Sequence, residues 1–394
     1  MRSLVLLSLL LTTSLSAATD PVALRAVSGD AAAIAQLRVL GQRGVDRLVA
    51  LHGNTKVDER AYRSAIDRVC RQRDCAWSQL YWYTDLAAAK AAAHAQHRPI
   101  LSLRLLGNLD DDMSCANSRF FRTILYSNRE ISAYLRENFI LYWSSERPVP
   151  KVTIDFGDGR VLHRTLTGNS AHYLLDENGN PLDVLPGLYA PVAFLANVRD
   201  MRNLYDDSKT WTPRERAGHL QLYHMERWKR AGRGDRVARL LSPATAWDAA
   251  PRAGVKGMAE IPMLTKVSFG TSAARLMERV ANVAKDETDL TKIDDRSLEL
   301  IRAKHGQGSD VDAAIANLRG MLAADTLRNE YELRTQIHRW FFDNEKPSFE
   351  ALNAFVYNDV FLTPRSDEWL GLMPRDTFTA IEGEGIVVAD TMRR

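Results

Sequence analysis

Apolar and polar positions follow three rhythms along this chain. In "DAAAIAQLRVLGQRGVDRLVALHG", residues Ile34, Leu37, Leu40, Val45, Leu48 and Leu51 recur near helical spacing, with breaks at Gly41, Gly44 and Gly53. That spacing predicts two short amphipathic helices. A further helix is expected over 59–69, carrying Cys70 at its end. No second copy of the pattern follows, so a helical-repeat array is not predicted.

The middle of the chain changes period. "TDLAAAKAAAHAQH" opens on Thr84, a good helix cap, is rich in alanine, and stops at Arg98-Pro99. "ILSLRLL" follows as a buried strand, and a helix is expected over about 116–125, breaking near Ser127-Asn128 and resuming over 130–137. "NFILYW" is a second apolar strand. "KVTIDFGDGRVLHRTL" alternates on either side of Gly157-Asp158-Gly159, and "AHYLLDENGNPLDVLPG" turns between Glu177 and Asn180. Both read as hairpins. "APVAFLANVRDM" closes the region as an amphipathic helix. This order predicts an α/β unit, a mixed sheet with helices on both faces.

From Asp200 the helical rhythm returns in "RERAGHLQLYHMERWKRAG", "SAARLMERVANVA", "DVDAAIANLRGMLA", "TLRNEYELRTQIHRWFFDN" and "SFEALNAFVYNDVF". "FLTPRSDEWLGLMP" and "IEGEGIVVAD" read as loop and short terminal segments. Trp340, Phe341, Phe342 and Trp369 predict a separate aromatic core for this part. The chain thus divides into residues 1–18, an N-terminal helical region 19–80, a sheet domain 81–206 and a mainly helical region 207–394.

Residues 1–18 read as a secretory signal peptide. Arg2 precedes an apolar run from Leu4 to Leu11, and Ser16-Ala17-Ala18 supplies small residues for cleavage. The run is shorter than the ~20 residues a membrane-spanning helix needs. An exported bacterial protein, periplasmic or secreted and without a stable membrane span, is expected. Hydrophobic content is 45% and charged content 26%, as in an ordinary folded protein. A net charge of +3 is too small to favour nucleic acid or an anionic membrane as partner.

Export changes how the three cysteines read, because an oxidising compartment permits disulfides. Cys70 and Cys75, in "VCRQRDC", are expected to pair; two separate buried thiols are the alternative. No nearby His or Cys completes a metal-ligand set around them, and neither metal nor cofactor is expected. Cys115, in "DDDMSCANSRFF", is then the leftover thiol.

Residues 81–206 resemble the thioredoxin-like superfamily, with an atypical C-x-x-S motif. "DLAAAKAAAHAQHRPILSLRL" is similar to the family's first helix and strand. "CANSRFFRTILYSNREISAYLRENFILYW" is similar to its active-site helix and the strand after it, and "AHYLLDENGNPLDVLPGLYAPVAFL" to its terminal hairpin and last helix. The resemblance implies that Cys115 is the nucleophilic position and that Ser118 stands where the resolving cysteine would be. It also implies that the family's cis-proline slot falls near Ser170, and that Ser170 and His172 neighbour Cys115 in a groove. A helix N-terminus stabilises a thiolate, whereas Asp110, Asp111 and Asp112 oppose one. Without a second sulfur, a mixed disulfide is not resolved within the site.

Other candidates carry less. His94 and His97 read as an exposed helical face, and "DFGDGR" as a hairpin turn. Asp110 to Asp112 lack the alternating ligands of a calcium loop. Arg214, Arg216, Arg227, Lys229, Arg230, Arg233 and Arg236 form a basic stretch, read as a solvated face or else as a docking surface for an acidic partner or a membrane surface. Two functional expectations follow. One is a non-catalytic binding or scaffold module whose C-terminal helices serve a protein partner. The other is a monothiol thiol–disulfide oxidoreductase using Cys115.

Overall fold

The computed structural model describes residues 20–166, 168–233, 289–305, 310–364, 366 and 380–381. The expected signal peptide, the helix expected over 272–284, Arg236, Trp369 and most of the segments expected after residue 364 lie outside the described residues.

The chain begins with helices α1 (Pro21–Val27), α2 (Ala31–Val39), α3 (Gln42–Asn54) and α4 (Glu59–Cys70). The stretch read as two helices holds α2 and α3, and α1 stands before it as a separate helix because Asp20 and Asp30 each accept first-turn N–H groups. Leu37, Val45, Leu48, Leu51, Ile66 and Val69 form a small core of their own. A Cβ on Gly44 would fall 2.0 Å from the Leu37 carbonyl oxygen, so α2 and α3 meet at a glycine. Cys70 and Cys75 are joined by a disulfide, which ties the end of α4 to α5 (Cys75–Ser78).

Helix α6 (Leu86–Gln96) leads into a four-stranded mixed sheet of β1 (Ile100–Leu106), β2 (Ile140–Arg147), β5 (Ala171–Leu175) and β6 (Pro181–Pro186). The order is β2-β1-β5-β6. β1 and β2 are parallel, and the β1–β5 and β5–β6 pairs are antiparallel, with Leu103 opposite both Trp143 and His172. Every residue of β1, β5 and β6 is buried. Strands covered on both faces read as continuous apolar runs, as these do. The crossover from β1 to β2 contains α7 (Ala116–Phe120), a π-helical turn (Phe121–Leu125) and α8 (Arg129–Asn138). Helix α9 (Pro191–Ser208) follows β6. β3 (Lys151–Asp155) and β4 (Val161–Thr165) form a separate two-stranded ribbon inserted between β2 and β5.

The remaining described helices are α10 (Arg216–Arg233), α11 (Asp295–Lys304), α12 (Val311–Arg328), α13 (Arg334–Asp343) and α14 (Phe349–Phe355). α12 runs on through a π-helical turn (Asn329–Leu333), and α14 through another (Val356–Val360). Among the described residues, the aromatics expected to form a separate core do not do so. Phe341, Leu322, Ile337, Leu352 and Val356 belong to the same core as Leu103, Tyr173 and Val184, and Trp340 packs against it. Phe342 is 39% exposed. The apolar stripe of α13 is spent on the sheet, whose β6 buries all its side chains and needs that cover.

Candidate functional site

Strand β1 ends at Leu106, Gly107 turns the chain with φ +76°, and the following loop delivers Cys115 to the N-cap of α7. The Cys115 amide donates to the Leu106 carbonyl at 3.2 Å. Its Sγ lies 3.0 Å from Ser170 Oγ and 3.4 Å from Ser118 Oγ. The Ser118 hydroxyl also lies 2.8 Å from the Cys115 carbonyl, to which it donates. Three of the residues picked from the sequence therefore meet around one sulfur, and that sulfur is 0% exposed.

His172, also expected beside Cys115, is engaged by aromatic neighbours. Its Nε2 lies 2.6 Å from the Tyr126 hydroxyl, and its ring packs against Phe121 and Phe194. Burial pushes its pKa down to about 3, so the imidazole is neutral across the physiological range. The acidic loop is also held by partners. Asp110 pairs with Arg71 at 3.3 Å, Asp111 with Lys151 at 3.8 Å, and Asp112 with Arg73 at 3.1 Å and Lys304 at 3.7 Å. The buried Arg122 donates to the carbonyls of Leu109 and Asp111, which fixes the loop from below. His94 and His97 are exposed on and after α6. Two of the basic residues are spent inside the molecule, Arg216 on Asp176 and Arg227 on Asp200.

Sequence reasoning missed a C-terminal segment that packs beside this site. The segment from Phe349 to Thr363 lies over the loop that carries Ser170. Tyr357 donates from its hydroxyl to the Asn169 carbonyl at 3.4 Å, and Asn169 Nδ2 donates to Thr363 Oγ1 at 3.0 Å. Tyr173 donates to Asn353 Oδ1, Asn353 Nδ2 donates to Glu146, and Arg104 reaches Glu350 at 2.9 Å. Beneath these bonds Leu352, Val356, Tyr357 and Val360 are at most 1% exposed.

A second buried cluster lies between β6 and the helices α10 and α13. Asp183, inside the apolar run "PLDVLP", meets His224, His338 and Arg334. Burial pushes the Asp183 carboxyl up, but Arg334 at 2.7 Å, together with His338, His224 and Arg227, holds the group well below the usual carboxylate range. Burial pushes His224 down to about 4, and burial with the Arg334 charge holds His338 well below its ordinary value. An Asp in the middle of a buried strand was the signal available in the sequence; its partners lie too far along the chain to be read from spacing. No protein-family model and no curated protein matches the chain.

Proposed function

We propose that this is an exported thioredoxin-like protein whose sheet domain serves as a non-catalytic scaffold, with the C-terminal helices as its partner-facing part. The strand order supports the fold assignment, with its parallel pair, its closing antiparallel hairpin and the helix α9 after it. So does the position of Cys115 at the start of the helix that follows β1. The Cys70–Cys75 disulfide favours an oxidising compartment.

The observation that carries the non-catalytic reading is the sealing of the thiol. Thiol–disulfide exchange needs a thiolate that a substrate sulfur can reach. Swinging the segment at 349–363 away as an intact unit exposes four fully buried apolar side chains. At about 1.5–3 kcal/mol each, the cost is on the order of 6–12 kcal/mol, leaving at most roughly one molecule in ten thousand open. With Ser118 at the resolving position, even the open form lacks a second sulfur for an internal dithiol cycle.

Alkylation of the native protein by iodoacetamide, followed by mass spectrometry, tests the reading. Cys115 is expected to stay unmodified in the folded state and to react fully in denaturant. Native labelling at the rate of a free thiol, with glutathione-dependent disulfide reduction that Cys115→Ser abolishes, would establish the monothiol oxidoreductase instead.

A further inference from the structure

We infer that Asp183, His224 and His338 form a binding site for one divalent transition cation of the zinc class. One ligand atom from each of the three residues lies within 4.8 Å of the others, and all three residues are buried. Two imidazoles and one carboxylate match the donor set of a three-ligand zinc site with a fourth position left for water.

The hydrogen bonds around the cluster prepare the donors. His224 Nε2 lies 2.9 Å from the Leu182 carbonyl, which only accepts, so the proton sits on Nε2 and the Nδ1 lone pair faces inward. That is the outer hydrogen bond that orients a metal-bound histidine. His338 Nδ1 faces this lone pair at 2.8 Å. Something positive must lie between two such nitrogens, and a proton on His338 Nδ1 supplies it in the metal-free state. With metal–nitrogen bonds of about 2.1 Å in tetrahedral geometry, the two nitrogens stand about 3.4 Å apart. Exchange of the proton for a cation therefore asks the rings to part by about half an ångström, while the His338 proton moves to Nε2 and no net proton is released.

Asp183 keeps room for the ion. Oδ1 accepts from the Val184 amide and Oδ2 from Arg334 and Tyr223, which leaves a lone pair on Oδ1 among the roughly four acceptor sites of a carboxylate. The neighbouring charges also permit a cation. Arg334 and Arg227 face Asp183, Glu330 and Asp200, so the ion-paired groups carry one negative charge in excess before any metal binds.

The test uses the full chain, free of an affinity tag and stripped with chelator, incubated for hours with zinc alone because the ligands are buried. One equivalent of zinc retained after desalting, with at least a hundredfold weaker binding in both His224→Ala and His338→Ala, is the expected result. Cobalt titration of the unmodified chain serves as a second reading that needs no variant. It should give tetrahedral d–d bands without a thiolate charge-transfer band. No retained zinc, binding that survives replacement of both histidines, or a thiolate band pointing to Cys115 would each overturn the assignment.

Discussion

Replacing Leu352 with alanine weakens the cover over Cys115 at its centre. Leu352 is 0% exposed and sits in the shared core beneath the bonds from Tyr173 and Asn353. Truncating a fully buried leucine costs about 2–5 kcal/mol, the spread reflecting how far the site collapses. If the thiol is reached when the segment at 349–363 lifts, the open fraction rises by that energy. At 1.4 kcal/mol per factor of ten, native-state alkylation of Cys115 accelerates roughly thirtyfold to several thousandfold. A matched control separates this from general unfolding. Leu48→Ala makes a similar hole in the separate N-terminal core, where Leu48 is also 0% exposed. Both variants are compared by pulsed iodoacetamide labelling at equal temperature, with global stability from urea unfolding of each. The reasoning fails if Leu352→Ala labels no faster than Leu48→Ala at the same loss of global stability, because the route to the sulfur would then be whole-chain opening.

The other predictions concern different parts of the molecule. Cys70→Ser with Cys75→Ser removes a cross-link over a short loop and should lower stability by about 2 kcal/mol, read by chemical denaturation with and without reductant. His172 has a folded pKa depressed to about 3 against an ordinary value near 6.5, so its contribution is fully present above 6.5 and is lost as pH falls toward 3. By pH 5 the loss is about 2 kcal/mol. Urea unfolding between pH 7 and 5 should show that slope weakened when His172→Phe is combined with Tyr126→Phe, which removes both halves of their hydrogen bond. Gly44→Ala forces a methyl group into the Leu37 carbonyl and should cost about 3 kcal/mol or more, seen as a lower melting temperature, whereas Gly53→Ala, with open space around it, should not.

The parts legible in the sequence were those set by local rules. The Ala-rich helix expected from Thr84 is present but is capped one residue later by Asp85, and Asp20, Asp30 and Asp58, which the apolar spacing did not single out, cap the helices they precede. The alternation around Gly157 and Gly179 marks both hairpins, since each of these glycines takes a positive φ at the turn. Cys115 was legible as a helix start, and its nearness to Ser170 followed from the resemblance rather than from spacing. The cover was not legible. "SFEALNAFVYNDVF" has the pattern of any amphipathic helix, and the bond from Tyr357 to Asn169 spans 188 positions. An apolar stripe declares that a helix will be buried without saying against what. That also explains the missing aromatic core: the size of Phe341 promised burial, and only the topology decided that the sheet would receive it.

The order in which the chain is made gives the cover a consequence for biogenesis. Cys70 and Cys75 leave the ribosome before Cys115, while the residues that shield Cys115 come far later. On the exported reading proposed above, a chain that crosses the membrane N-terminus first brings Cys70 and Cys75 to the oxidising side ahead of Cys115, which favours the pairing seen. On that reading Cys115 is the last of the three sulfurs to arrive, and the residues packed beside its loop arrive later still. If the segment at 349–363 is what buries the thiol, a chain ending before residue 349 should label at Cys115 under conditions in which the full chain does not.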